Sequence, residues 1–354
     1  MSNTTNNEKR VVASFIALDS YVQKSIPTPT ETKTGTFVRW GSNNKYPDYL
    51  LGLYNRSATL RSVIDGCVDY IVGDDVLFRK EAGYIINPEG ETASDLVRLL
   101  ANDLKMTGGF AIEVCRNDDG DVVALRHLPI RFLRSNKDNT VFWYSEKWGG
   151  SSTPEVMPAF MASIKESWPT MDDTERKKAI SSVFYYKADH AQTYPSPCYR
   201  ASIPSCEIEA NIDDFHLNSL ENGFTASAVL AFHNGIPSDE QKAEIERNAQ
   251  EKFTGHQNAA RIFLSFADDK DHGVEVQTIS AEDFGERYQA LEKSARQKIF
   301  TSFRAVPAIF GINPENNGFS ATEYAEAFKL FNRTQIKPSQ QMIIDAFAKI
   351  YGDS

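Results

Sequence analysis

Several chemistries are missing from this 354-residue chain. No glycine precedes a lysine anywhere, so there is no Gly-x-x-x-x-Gly-Lys loop to cradle phosphates, and an ATP-driven motor of that class is excluded. No Gly-x-Gly-x-x-Gly follows a strand-like run, and neither a Gly-x-Ser-x-Gly elbow nor a His-Glu-x-x-His pair occurs. Cysteine is scarce: Cys67, Cys115, Cys198 and Cys206 form no Cys-x-x-Cys pair. They read as small core residues of a protein made in a reducing compartment, with a Cys198–Cys206 bridge left open. The 6 histidines are scattered, with no two at helical spacing. Basic residues are outnumbered 38 to 48, and the net charge of −10 excludes a protein that wraps nucleic acid in a broad basic surface.

Long apolar runs are also missing. Val11–Leu18, eight residues with Ser14 among them, falls far short of the ~20 needed to span a bilayer. The run follows Lys9 and Arg10, as in an export signal. However, Glu8 precedes it, and Asp19-Ser20 follows without a small-x-small cleavage site, so it is not read as one. What the chain does have is 41% apolar residues, enough for a real core. Its length suggests two or three structural units.

The first 35 residues read as an arm, polar at Met1–Asn7 and Pro/Thr-rich from Ser25 to Gly35. A helix is predicted from Ser57 to Val72, with Leu60, Val63, Ile64, Cys67 and Ile71 on one face. A second opens on the Thr92-x-x-Asp95 capping box, buries Leu96, Leu99, Leu100 and Leu104, and stops at Gly108-Gly109. Phe110–Cys115 and Val122–Leu128 flank Asp118-Asp119-Gly120 as a hairpin. Val141–Tyr144 and Val183–Tyr186 read as further strands, with an insertion from Trp148 to Arg176 between them.

The second half follows a different order. A helix from Glu207 to Asn222 precedes a β-α-β-β unit with strands Ala226–His233, Ala260–Phe266 and Val274–Ile279 and a helix opened by Ser238-Asp-Glu-Gln241. Next comes the longest helix, about 25 residues and roughly 37 Å, on which Phe284, Tyr288, Leu291, Ala295, Ile299 and Phe303 recur at steps of three and four. A polar loop, Gly311–Gly318, leads to a helix capped by Ser320 and ended by Pro338. A short amphipathic helix carrying Ile343, Phe347 and Ile350 closes the chain.

Paired acids occur at Asp74-Asp75, Asp172-Asp173, Asp213-Asp214 and Asp268-Asp269. Adjacent carboxylates diverge by about 100° on a helix and point to opposite faces on a strand, so each pair reads first as a solvated turn or helix surface. A metal-dependent DNA-processing enzyme built on Asp213-Asp214 or Asp268-Asp269 is the alternative from another class. Otherwise no catalytic residue, cofactor or metal site is expected.

The order of elements in the second half resembles the portal proteins of tailed bacteriophages. The resemblance is carried by Glu221-Asn-Gly-Phe-Thr-Ala-Ser-Ala-Val-Leu230, by Phe253-Thr-Gly255-His-Gln-Asn258-Ala259, and by Phe303-Arg-Ala-Val306-Pro307-Ala-Ile-Phe-Gly311. Asn316-Asn-Gly-Phe-Ser-Ala-Thr-Glu323 through Phe328 to Pro338 adds to it, as do Asp103-Leu-Lys-Met-Thr-Gly108-Gly-Phe-Ala and Leu128-Pro129 in the first half. It implies an α+β portal-like subunit. A flexible arm (1–35) would lead into a mixed α/β wing (36–206), followed by a first stem helix (207–222), a small α/β clip (223–280) and a second stem helix (281–305). A tunnel-loop region (306–319) and C-terminal helices (320–354) would complete it. The chain ends 16 residues after Pro338, which implies a short or missing crown.

The same resemblance implies a dodecameric ring at a capsid vertex of the virion, made in the host cytoplasm, through which double-stranded DNA is packaged and ejected without sequence preference. Its partners would be the major capsid protein, the terminase (the packaging ATPase) and a head–tail adaptor, with no membrane. A non-portal head–tail adaptor ring is the nearer alternative. Asn313, Glu315, Asn316 and Asn317 would be the tunnel-loop tips that meet DNA. In the second stem helix Lys293, Arg296, Lys298 and Arg304 crowd the C-terminal half, where they would touch phosphate in the bore or simply complement the helix dipole.

Overall fold

The computed structural model describes residues 12–16, 31–34, 36–73, 85–148, 153–189, 192–221, 229–232, 238, 240–245, 247, 262–266, 281–312 and 321–352. In chain order the first elements are β1 (Val12–Ile16), β2 (Glu31–Thr34), β3 (Phe37–Trp40), α1 (Tyr46–Arg56), α2 (Ala58–Val72) and α3 (Ala93–Thr107). Then come β4 (Gly109–Arg116), β5 (Val122–His127), β6 (Leu133–Ser135), β7 (Val141–Tyr144), β8 (Glu155–Pro158), α4 (Ile164–Ser167), α5 (Asp173–Ala179) and β9 (Ser181–Lys187). The second half contributes α6 (Ile203–Glu221), β10 (Val229–Phe232), β11 (Ile262–Phe266), α7 (Ala281–Ser302), α8 (Ala321–Phe331) and α9 (Lys337–Tyr351).

The chain divides into two units. One comprises Ile26–Ala210 and Lys293–Ser354, the other Met1–Ser25 and Asn211–Glu292. Of the three breaks between them, one follows Ser25, and the other two fall inside helices, in α6 and α7, rather than at their ends.

In the larger unit the predicted helix faces pack as a stripe of period 3.6 requires. Leu60, Val63, Ile64, Cys67 and Ile71 of α2 are all buried, as are Leu96, Leu100 and Leu104 of α3. Leu99, expected among them, is exposed, because one step past the stripe carries it off the buried arc. The caps also form as read. Ser57 accepts from the Leu60 amide, and Thr92 and Asp95 make a reciprocal capping box. Gly108 ends α3 at φ +89°, where a β-carbon would lie 2.1 Å from the Ser196 carbonyl oxygen, so glycine is required for conformation and for space.

Two antiparallel sheets complete this unit, β2-β3-β6-β7-β8 and β5-β4-β9. Arg134 of β6 is fully buried and pairs with neutral acceptors. Its guanidinium donates to the Asn44 side-chain oxygen (2.5 Å), the Asn44 carbonyl (2.6 Å) and the carbonyls of Arg131 (2.8 Å) and Leu133 (2.6 Å), with Trp148 4.8 Å away. Burial pulls its pKa down to about 10.

In the smaller unit β10 and β11 run parallel, as a β-α-β connection requires, and 240–245 between them is helical. β1 adds antiparallel to the other edge of β11, with Val12 opposite Phe266 and Ile16 opposite Ile262.

Several expectations need correction. The stretch read as a flexible arm holds two strands, β1 and β2, whose backbone groups are paired with partners elsewhere in the chain. α1 was not anticipated: its Gly52 and four aromatic-or-proline positions mask the period, yet Pro47 sits in the first turn, where no amide donor is needed. The 148–176 insertion contains β8, α4 and the start of α5. α6 begins at Ile203, earlier than Glu207. Pro338 does not end the preceding helix. A π-helical turn, Asn332–Ile336, carries the backbone from α8 into α9, and Pro338 falls in the first turn of the latter. The last predicted strand, Val274–Ile279, lies outside the described residues.

The start of α6 is fastened to the junction of α1 and α2 by a buried carboxylate. Glu209 accepts from the Ser57 hydroxyl, from the Thr59 hydroxyl at 2.5 Å and from the Thr59 amide at 3.3 Å. It thereby satisfies donors of the first turn of α2 from 150 residues away. Glu209→Gln should cost about 1–2 kcal/mol and Glu209→Ala about 3, because two hydroxyls and an amide lose their acceptor in a dry site. Urea unfolding measures this, and a Glu209→Ala variant as stable as the parent would refute it.

Candidate functional site

The C-terminal half of α7 is fixed along one face and open along the other. Ala295, Ile299, Phe300 and Phe303 are buried in the core of the larger unit. The Phe303 ring stacks on Tyr199, centroids 5.4 Å apart and planes within 16°. The Ser202 hydroxyl donates to the Lys298 carbonyl at 2.9 Å. These contacts set the rotation of the helix, and with it the residues that face outward.

Lys293, Ser294, Gln297, Lys298 and Thr301 are exposed. At 100° per residue, Lys293 and Lys298 stand about 140° apart, with the three polar side chains between them. Arg296 is half-buried within the apolar arc, between Phe303 and Phe300, so the structure brings two of the stem cations onto the open face and sets the third aside. Lys293 and Arg296 each make a further interaction within the chain. Asn313, Glu315, Asn316 and Asn317 lie outside the described residues.

Arg304 departs from its expected place on the helix. α7 ends at Ser302, not Ala305, and Arg304 adopts φ +51°. The Ala305 amide donates to the Phe300 carbonyl and the Arg304 amide to the Thr301 carbonyl, both at 3.0 Å. That pair of bonds is a Schellman motif with arginine at the left-handed position that glycine usually fills. The chain then enters a 3-10 turn at Pro307–Phe310 and a second left-handed residue, Gly311.

Both flanks of the segment 313–320 converge on one residue of α2 that the sequence reading passed over. The Tyr70 hydroxyl donates to the Ile309 carbonyl at 2.5 Å. Its ring meets Phe310 at 6.0 Å, before the segment, and Phe328 at 5.4 Å and Phe331 at 6.1 Å, after it. Phe310 lies over Gly66, where a β-carbon would come within 2.7 Å of the ring. The signal available in sequence was Gly66 itself, an interior helix glycine that costs propensity unless something packs on it.

The paired acids take ordinary places. Asp172 caps α5 in a capping box with Glu175, and Asp213 and Asp214 are exposed on α6. Asp74-Asp75 and Asp268-Asp269 lie outside the described residues. Among the described residues no three His, Cys, Asp or Glu side chains are grouped to hold a metal ion. None of the four cysteines is bridged. Cys67 and Cys206 are buried as expected, Cys115 is half-buried and Cys198 is exposed. No helix among the described residues is long and apolar enough to cross a membrane.

Comparison with known proteins places this architecture. The family model described as "Phage portal protein" matches residues 85–351. The chain belongs to the phage portal protein family, a structural rather than an enzymatic class. Among curated proteins, an uncharacterized protein of Rickettsia felis is 29% identical over 143 residues, covering 39% of this chain and 35% of the relative. One from Rickettsia bellii is 28% identical over 136 residues, 36% and 34% respectively. The chain thus spans about a third of the length of the curated relatives it matches. Among solved structures, the neck of a native gene transfer agent particle computed with C12 symmetry has a similar fold. Its TM-score is 0.53 at 14% identity, covering 86% of this chain and 80% of that one. A chain from the virion of the native particle matches equally, at 0.53, 14%, 86% and 82%.

The left-handed arginine yields a stability prediction. Arg304→Gly should raise stability by about 0.5–1 kcal/mol, since the strain relieved exceeds glycine's extra chain entropy, whereas Arg304→Ala leaves it nearly unchanged. Calorimetry on the two variants decides this, and a glycine variant no more stable than the alanine one counts against it.

Proposed function

We propose that this chain is the repeating subunit of a portal ring at the head-to-tail vertex of a phage-like particle, through which double-stranded DNA enters and leaves. The observation that carries the reading is the family match over 85–351, which takes in β4, β5, both long helices and α9. The neck structures of similar fold support a ring of twelve copies and a place in the particle neck. On this reading the terminase docks during packaging, a head–tail adaptor replaces it afterwards, and the major capsid protein surrounds the ring.

The charge pattern suits a conduit. Twelve copies at −10 total about −120, so the ring as a whole repels phosphate and cannot clamp the duplex. Against that background the outward face of α7, with Lys293 and Lys298 and with Arg304 just past its end, offers a narrow basic band. Contacts of this number are individually weak and salt-screened, which lets DNA slide. The segment 313–320, with Asn313, Glu315, Asn316 and Asn317, supplies polar tips for the same passage.

Two measurements test this. Negative-stain images of the purified protein should show rings with a central hole; compact monomers with metal-dependent nuclease turnover would instead establish the enzyme reading. In particles, Lys293→Gln combined with Lys298→Gln and Arg304→Gln should leave rings intact and lower packaged DNA several-fold. Full-length genomes packaged at the parental yield would remove the basic band from the mechanism.

A further inference from the structure

We propose that the outer face of the sheet β2-β3-β6-β7-β8 is a docking surface for a short acidic peptide segment of another protein, anchored by one aromatic or aliphatic side chain. The surface lies within the larger unit, and the proposal does not depend on the portal reading.

The strand register sorts the side chains of this sheet onto two faces. Val38 stands opposite Ser135, Ser135 opposite Phe142 and Phe142 opposite Met157, and all four are buried. Alternation puts Phe37 and Arg39 of β3, Arg134 of β6, Trp143 of β7 and Val156 of β8 on the other face. An antiparallel sheet that covers a core with one face is expected to be polar on the other. Here Val156 is 60% exposed, and Phe37 and Trp143 are half-buried. Trp148 joins them. Its ring lies 5.0 Å from that of Phe37, which in turn lies 6.1 Å from that of Trp143.

This aromatic surface is fixed before any partner arrives. The Trp148 Nε1 donates to the Phe132 carbonyl at 3.0 Å, and the buried Arg134 guanidinium lies 4.8 Å from the Trp148 ring. Side chains already held in place lose little freedom on binding, and tryptophan and arginine are the residues that most often anchor interfaces.

Charge and size select the occupant. The chain carries −10, yet the charged side chains that the register assigns to this face, Arg39 and Arg134, are both cations. Arg39 is exposed and forms no ion pair among the described residues. Glu155 alternates to the opposite face, and the exposed Glu146 and Lys147 offset each other beside Trp148. A carboxylate on a partner would therefore meet an unpaired guanidinium. Arg39 and Trp143 stand two strands apart, about 10 Å, which two or three extended residues span. A second copy of this chain fits less well, since a stable interface takes about 20–30 residues a side. Single-stranded nucleic acid needs ring faces open for stacking. Phe37 stands at 62° to Trp148 and 44° to Trp143, which leaves no row of parallel faces.

The test uses the full-length protein and a fluorescein-labelled probe, acetyl-Ser-Leu-Phe-Ser-Glu-Glu, read by fluorescence anisotropy. One control peptide carries Lys-Lys in place of Glu-Glu, and another carries Ser-Ser in place of Leu-Phe. The probe should bind at least five-fold more tightly than either control. Arg39→Glu and Val156→Asp, both at exposed positions, should each weaken it roughly ten-fold while leaving the melting temperature at the parental value. Equal binding of the three peptides, or parental affinity in both variants, overturns the proposal. So does tighter binding of a labelled thymidine dodecamer than of the probe. Release of monomers from a larger assembly by Val156→Asp, seen in sedimentation, would give the face to a second copy and overturn it as well.

Discussion

The stack of Tyr199 on Phe303 is the contact on which the rest of the candidate surface depends. A helix of 22 residues could present any face outward. Pinning Phe303, with Ala295, Ile299 and Phe300 buried behind it, removes that freedom and leaves Lys293 and Lys298 in solvent. Tyr199 is itself tied by its hydroxyl to the Met106 carbonyl at 2.8 Å, in the last turn of α3. The chain of dependence therefore runs from the caps of α3, through a buried tyrosine, to the orientation of charges on α7. Each link is a directional contact inside a dry core, where rotation about the helix axis would leave a polar group without a partner.

At Arg304 the same helix gives up local stability. A Schellman motif closed by glycine would have satisfied the last carbonyls equally well. Arginine supplies a cation where the dipole of α7 already favours one and where the chain turns towards 313–320. Strain retained at an exposed charged residue is the pattern expected of a position kept for its side chain. Gly311, seven residues on, takes the left-handed conformation without that cost.

How far the sequence alone reached depended on whether a signal was periodic. The stripe of α2, the capping box at Thr92 and the hairpin around Gly120 are local rules, and the structure realises each. The order of motifs in the second half pointed to the portal family, and the family model over 85–351 bears the resemblance out. What stayed hidden was non-local. The pairing of Val12–Ile16 with a strand some 250 residues away leaves no mark in composition, and one eight-residue apolar run, Val11–Leu18, beside a polar terminus reads as part of an arm. Glu209 looked like one more charge on a helix, yet it is buried to satisfy the first turn of α2. Tyr70 lies one residue before Ile71 of the buried stripe, and its partners are two elements that only the tertiary fold brings together.

The buried and exposed charges of this chain therefore perform opposite tasks. Arg134 and Glu209 are withdrawn from water and given dipolar partners, so each fixes one arrangement of the elements it joins. Neither forms an ion pair in doing so. A charge met by neutral carbonyls or hydroxyls has no counter-ion to exchange, and its environment changes little with salt. Lys293, Lys298 and Arg304 are exposed, where salt screens them, and on the proposed portal reading contacts with a passing polyanion would form and break quickly there. A rigid frame held by salt-insensitive contacts, carrying a thin band of salt-sensitive ones, is the division that a sliding surface requires. On the proposed reading the frame would hold its shape while the ionic atmosphere of the duplex moves past, and the band would not bind strongly enough to stop it.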